Sequence, residues 1–216
     1  RRLLENMSEA DLAPEVRETL EALRAEHRYL ADDLGLVVGV EVGNELLVDA
    51  FHYSEGLTSC PHEFRKALCW RYKDRALYGD EIPEATRTLL HNPKYRIPLW
   101  ELVYHDCTVS YWYWADSTLM YPQLAPLKDA FCRLWGLPPI YSMNVATWNR
   151  LKHEVAASYR RAVPSARATM FSRMTAFEYL TPDRLVQRTT FANGHVETVD
   201  FRKHYADVIA VAPGNP

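Results

Sequence analysis

The stretch Arg96–Ser117, RIPLWELVYHDCTVSYWYWADS, decides how the chain is read. Leu102-Val103-Tyr104 is a short apolar, β-prone run, and His105 and Asp106 stand side by side where it stops. That order predicts a buried strand ending in an ionisable pair. Tyr111, Trp112, Tyr113 and Trp114 follow closely, a density of flat amphipathic rings that either stack on a sugar face or fill a core.

Upstream, Leu34-Gly35-Leu36-Val37-Val38-Gly39-Val40 is an unbroken apolar run of strand length, the form of a parallel strand buried on both faces, and it ends on Glu41. Before it, Ser8, Asp11 and Pro14 mark the start of a helix in which Val16, Leu20, Leu23 and His27 recur at helical spacing to about Ala31. After it, the segment Val42–Tyr53 carries Asp49 and His52, and Ser54-Glu55-Gly56 reads as a loop. Helical spacing returns over Pro61–Tyr78, Glu84–Leu90, Pro122–Trp135 and Ala146–Ala162, the third with an internal Pro126 and a Gly136 stop. Texture changes at Pro164. Beyond it, Leu185–Phe191, the turn Asn193-Gly194 and Val196–Phe201 carry the chain's strongest hairpin signal.

This alternation predicts an α/β chain: the C-terminal portion of a (β/α)8 TIM-type barrel over residues 1–163, running into a β-sandwich over 164–216. A doubly wound sheet has no support, since no Gly-rich phosphate loop follows any strand. Both edges of the chain look cut. Glu41, the His105-Asp106 pair and Tyr141 with Asn144 all fall at predicted strand C-termini, where a barrel gathers its functional groups.

With 25 Lys+Arg against 28 Asp+Glu and no basic run interleaved with aromatics, a nucleic-acid partner is disfavoured. Cys60, Cys69, Cys107 and Cys132 form no CxxC pair and read as buried thiols, while His52, His62 and His91 are too scattered for a metal site. No metal or cofactor is expected. No apolar run is long enough to span a bilayer.

Three segments, GVEVGNELLVDAFHYSEG (39–56), LVYHDCTVSYWYWADS (102–117) and LTPDRLVQRTTFANGHVETVDF (180–201), resemble the corresponding parts of bacterial glycoside hydrolases related to the endo-α-N-acetylgalactosaminidases, families 101 and 129. The resemblance implies a barrel followed by β-sandwich domains. It also implies a retaining glycosidase acting on α-linked sugars, with N-acetylgalactosaminides as the leading substrate class. Carried over, Glu41 matches the general acid/base, and the Asp nucleophile lies before Arg1. His105, Asp106, Trp112, Trp114, Asp116, Asp49 and Tyr53 are the expected substrate-binding residues; an internal pair of Glu41 with Asp106 is the alternative catalytic arrangement. A carbohydrate is the expected partner. The competing reading is a non-catalytic carbohydrate-binding or scaffold module.

Overall fold

The computed structural model describes residues 12–41, 43, 45–55, 91–111, 122–141 and 143–204. The helices expected over 61–78 and 84–90, together with Cys60, Cys69, Trp112, Trp114 and Asp116, lie outside these residues.

Helix α1 (Pro14–Arg28) has its proline in the first turn, where a missing N–H breaks no bond, and continues into a single wide π-turn at Tyr29–Asp33. Its Leu20 packs with Val38, Leu47 and Phe51, flanked by Leu23, Leu30 and Val40. The apolar run 34–40 is therefore covered on one side only. Strand β1 spans only Gly39–Glu41, and Leu34, Leu36 and Val37 are exposed, Val37 to 73%. This corrects the expectation of a strand buried on both faces, because Leu34 still closes the π-turn and the Leu36 amide is bonded to the Leu30 carbonyl at 2.9 Å, which leaves only Gly39–Glu41 as strand.

Strand β2 (Tyr53–Glu55), expected as a loop at Ser54-Glu55, pairs in parallel with β1 and with β3 (Val109–Ser110), giving the sheet order β1-β2-β3. The register sets Gly39 opposite Tyr53, Glu41 opposite Glu55, and Tyr53 opposite Val109.

The central stretch departs from its expected form. Leu99–Tyr104 is helix α2, with the Leu102 amide donating to the Pro98 carbonyl (2.9 Å) and the His105 amide to Glu101 (3.3 Å). An apolar run this short carries no period to separate strand from helix. Helical geometry puts Glu101 and His105 four apart on one face, and both are buried.

Helix α3 (Ala125–Trp135) follows a 3-10 turn at Pro122–Leu124, with Pro126 in its first turn. It ends at Gly136, whose φ of 70° lets the Leu137 amide reach the Cys132 carbonyl at 2.9 Å. Helix α4 (Val145–Thr169) is capped by Asn144, whose side chain accepts from the Thr147 amide at 2.8 Å. It runs through Pro164, so the expected boundary at 163/164 falls inside a helix. Pro164 faces solvent, while Ala162, Ser165, Ala166 and Thr169 are buried on either side of it. That buried face holds the helix where the proline removes one bond.

The chain then forms an antiparallel sheet, β4 (Met174–Tyr179), β5 (Val186–Phe191) and β6 (Val196–Asp200), ordered β4-β5-β6. The hairpin at Asn193-Gly194 is present as expected, with Gly194 at φ 86°. Phe131, Leu134 and Trp135 of α3 close the main core against Met174, Phe191, Val199 and Phe201. The fold is thus mixed α/β, one parallel and one antiparallel sheet joined through helices. Cys132 is buried as expected, but Cys107 is exposed.

Gly136 and Gly194 differ in one respect. A Cβ at Gly136 would run into Thr169 Oγ1 and His105 Nε2, whereas nothing lies within 4 Å of one at Gly194. Gly136→Ala should therefore cost on the order of 3 kcal/mol and Gly194→Ala about 1 kcal/mol in denaturant unfolding. Equal losses would mean that the packing at Gly136 is not limiting.

Candidate functional site

Successive residues of a strand face opposite sides of its sheet, and in-register partners share a side. Val40, Ser54 and Ser110 therefore lie on one face; Gly39, Tyr53 and Tyr111 lie on the other. The first face is covered by helices: Val40 packs on α1, and the buried Ser54 and Ser110 hydroxyls meet at 3.2 Å. Ser110 also borders an internal cavity of about 10 Å3 with Glu101, His105, Gly136 and Ala166, room for about one water.

The second face carries the exposed Gly39 and the half-buried Tyr53 and Tyr111. A Cβ at Gly39 would collide with the Tyr53 ring, so the absence of a side chain there lets that ring lie across β1. Tyr53 in turn meets Tyr111 edge-to-face, with centroids 5.7 Å apart and planes at 87°. The Tyr111 amide donates to the Ser54 carbonyl at 3.1 Å, which extends the β3 pairing to the level of Glu55. In the backbone register Glu41, Glu55 and Tyr111 thus close three adjacent parallel strands at their C-terminal edge, and the Tyr53 and Tyr111 rings meet on the Gly39 side of that sheet. These rings can stack on an apolar sugar face, and their hydroxyls can hydrogen-bond sugar hydroxyls.

The other expected site residues are placed elsewhere. His105 and Asp106 close α2 and precede β3, which corrects the premise that they end a strand and share an edge with Glu41. The His105 ring is buried, with Nδ1 2.8 Å from the Ser172 carbonyl. Asp106 and Asp49 line a cleft of about 830 Å3 with Arg28, His52, Tyr104 and Arg173 at the N-terminal end of the strands. Arg24 and Arg28 both reach Asp49, at 3.4 Å each. In the backbone Asp106 precedes β3, whereas Glu41 is the last residue of β1, so the two stand at opposite ends of the parallel strands. Tyr141 and Asn144 end no strand either: the Tyr141 hydroxyl is bonded to Ser158 Oγ (2.8 Å), and Asn144 caps α4.

Sequence reasoning missed Glu55 as the neighbour of Glu41. The signal available was a shared period of two, Gly39-x-Glu41 beside Tyr53-x-Glu55, hidden because strands of three residues are too short to announce themselves.

Residues 5–190 match the family described as "Glycosyl hydrolases related to GH101 family, GH129". The chain belongs to this glycoside hydrolase family. In structure it is similar to the ligand-free alpha-N-acetylgalactosaminidase NagBb from Bifidobacterium bifidum, with a TM-score of 0.54 and 21% identity over 87% of this chain and 25% of that one. The GalNAc complex of the same protein gives a TM-score of 0.54 at 20% identity, over 87% of this chain and 26% of that one. The chain spans about a quarter of the length of these solved structures. At this identity the likeness is one of fold. No curated protein matches the chain.

Beneath the site, this glycoside hydrolase chain buries two titratable groups in opposite senses. Burial pushes the Glu101 carboxyl up to about 7, with its own amide and the Arg96 charge opposing. Burial lowers His105, against the pull of the Ser172 carbonyl. Between 4.5 and about 7 the folded chain keeps a proton on Glu101 that the unfolded chain has released, so this contribution to stability falls as pH rises. His105 works in reverse: its depressed value costs stability as pH drops below 6.5. Glu101→Gln should therefore stabilise on the order of 2 kcal/mol at pH 8 and hardly at all at pH 4.5, read from thermal unfolding at both pH values. A pH-independent difference would show that Glu101 is not held protonated.

Proposed function

We propose that the chain forms part of the catalytic region of a retaining glycosidase acting on α-linked N-acetylgalactosamine, with Glu41 as general acid/base and the Asp nucleophile supplied from before Arg1. The observation that carries this reading is that Glu41 is the last residue of a parallel strand, at the C-terminal edge of the β1-β2-β3 sheet. Membership of a glycoside hydrolase family and likeness to an alpha-N-acetylgalactosaminidase, one form of it holding GalNAc, support the substrate class. Three parallel strands in chain order are what one arc of a (β/α)8 barrel presents, with β4–β6 as the first strands of a β-sandwich.

In a retaining glycosidase one carboxylate attacks the anomeric carbon while a protonated carboxyl donates to the leaving oxygen, the two about 5 Å apart. Glu41 takes the second role and, after the glycosyl-enzyme forms, withdraws a proton from the incoming water. Tyr53, on the neighbouring strand β2 of the same sheet, positions the sugar.

In the full-length protein, Glu41→Gln should slow hydrolysis of alkyl α-N-acetylgalactosaminides by 100-fold or more, on the order of 10²–10⁴. It should slow aryl glycosides with acidic leaving groups far less, because such groups depart without a proton. Equal losses on both substrates would assign Glu41 to binding.

A further inference from the structure

The internal cavity beside Ser110 gathers polar groups that the proposed mechanism does not use. Its walls come from α2, β3, the turn after α3 and the end of α4, and among the described residues lining it only Glu101 and His105 titrate near neutral pH. Two of the polar side chains are already engaged. The His105 imidazole is bonded to the Ser172 carbonyl (2.8 Å), and the Thr108 hydroxyl donates to the His52 carbonyl (3.1 Å). Glu101 is placed differently. Its residue is 3% exposed, burial keeps its carboxyl protonated up to about pH 7, and the hydrogen bond it receives comes from its own backbone amide, which donates and cannot accept. The carboxyl O–H therefore has no acceptor among the described residues, and a donor left unmet away from water is costly. On the β3 side, the Ser110 hydroxyl shares one hydrogen bond with Ser54 Oγ at 3.2 Å, which leaves it at least one lone pair. The Trp100 indole borders the same cavity, and its buried Nε1–H is likewise without an acceptor. A volume of about 10 Å3 admits one water and nothing larger.

We infer that this cavity is a binding site for a single water molecule that joins the Glu101 carboxyl of α2 to the Ser110 hydroxyl of β3. The water accepts from the Glu101 O–H and donates to Ser110 Oγ, whose own proton goes to Ser54 Oγ; the Trp100 N–H is a donor for its second lone pair. A hydrogen-bonded chain then runs from α2 through β3 to β2. Ionisation of Glu101 reverses its direction: Ser54 donates to Ser110, Ser110 to the water, and the water to the carboxylate. The site keeps its water in both states, because each member of the chain can donate or accept. The lining residues from β3, the turn after α3 and α4 carry no charge, His105 stays with Ser172, and Arg96 acts on the carboxyl from outside the lining. The proton on Glu101 thus sets the direction of the chain.

The test is a high-resolution crystal structure of the full-length protein together with oxygen-17 relaxation dispersion of its solution, which counts long-lived internal waters. An ordered water should lie within about 3.2 Å of both a Glu101 carboxyl oxygen and Ser110 Oγ. Glu101→Leu, of similar bulk but without a polar group, should lower the count by one, whereas Glu101→Gln, which still donates and accepts, should leave it unchanged. The losses in thermal midpoint from Glu101→Leu and Ser110→Ala should be well below additive in the double variant, as expected of residues sharing one partner. A dry cavity in the wild-type crystal overturns the inference, and that result needs no variant to fold. An unchanged water count in folded Glu101→Leu overturns it equally, and a water that touches Glu101 but not Ser110, with additive losses, removes the link between α2 and β3.

Discussion

Because β2 is paired along both edges, the period-two alternation of its three residues sorts the surroundings into a packed side and an open side. Ser54 is driven inward, where its hydroxyl finds that of Ser110 and neither is left unpaired away from water. Tyr53 then has only the other face. The same pairing fixes β1 against β2 in register, so Gly39 must accept the Tyr53 ring and Glu41 must stand level with Glu55. A slip of one residue would turn Ser54 outward and part it from Ser110, which makes this register strongly specified.

What keeps that sheet in place is a set of side-chain bonds from the antiparallel unit to the segment leading into α2. Gln187 Nε2 donates to the Pro93 carbonyl at 2.9 Å, the Tyr179 hydroxyl to the Arg96 carbonyl at 3.2 Å, and His105 meets Ser172. These bonds join residues far apart in sequence, and each satisfies a backbone carbonyl that water does not reach freely. On the far side of α3, Asp129 is buried yet accepts from Ser158 Oγ (2.6 Å) and Arg161 Nε (2.8 Å), with Tyr141 joining through Ser158. Burial still raises the Asp129 carboxyl, so the hydroxyl and the guanidinium offset its desolvation only in part. Removing one member would leave a buried charge unpaired, whereas a surface ion pair such as Arg188–Glu178 can be lost at little cost.

Legibility in the sequence followed the length of the repeating pattern. Helices α1, α3 and α4 and the Asn193-Gly194 hairpin carry the longest patterns, and Gly136 stops α3 as read, whereas Pro126, read as internal, falls in the first turn and Asn144, read as ending a strand, caps α4. The run Leu102–Tyr104 was too short to show a period and folded as helix, carrying His105 and Asp106 to the opposite edge from Glu41. Pro164 looked like a boundary because proline breaks isolated helices, but the buried face of α4 outweighs one lost bond.

The family was legible in three separated motifs, and so was the position of Glu41 at the end of an apolar run. These are local or linear properties: composition, period, and the order of residues along the chain. The backbone register that sets Glu41 level with Glu55, the meeting of the Tyr53 and Tyr111 rings, and the placing of Asp49 and Asp106 in another cleft were decided only by tertiary structure. They depend on which three-residue strands pair, in what register, and on which face the helices settle. That choice is made by burial of Leu20, Val38, Val40 and Phe51 against one another, contacts between residues that no pattern within a single strand can encode.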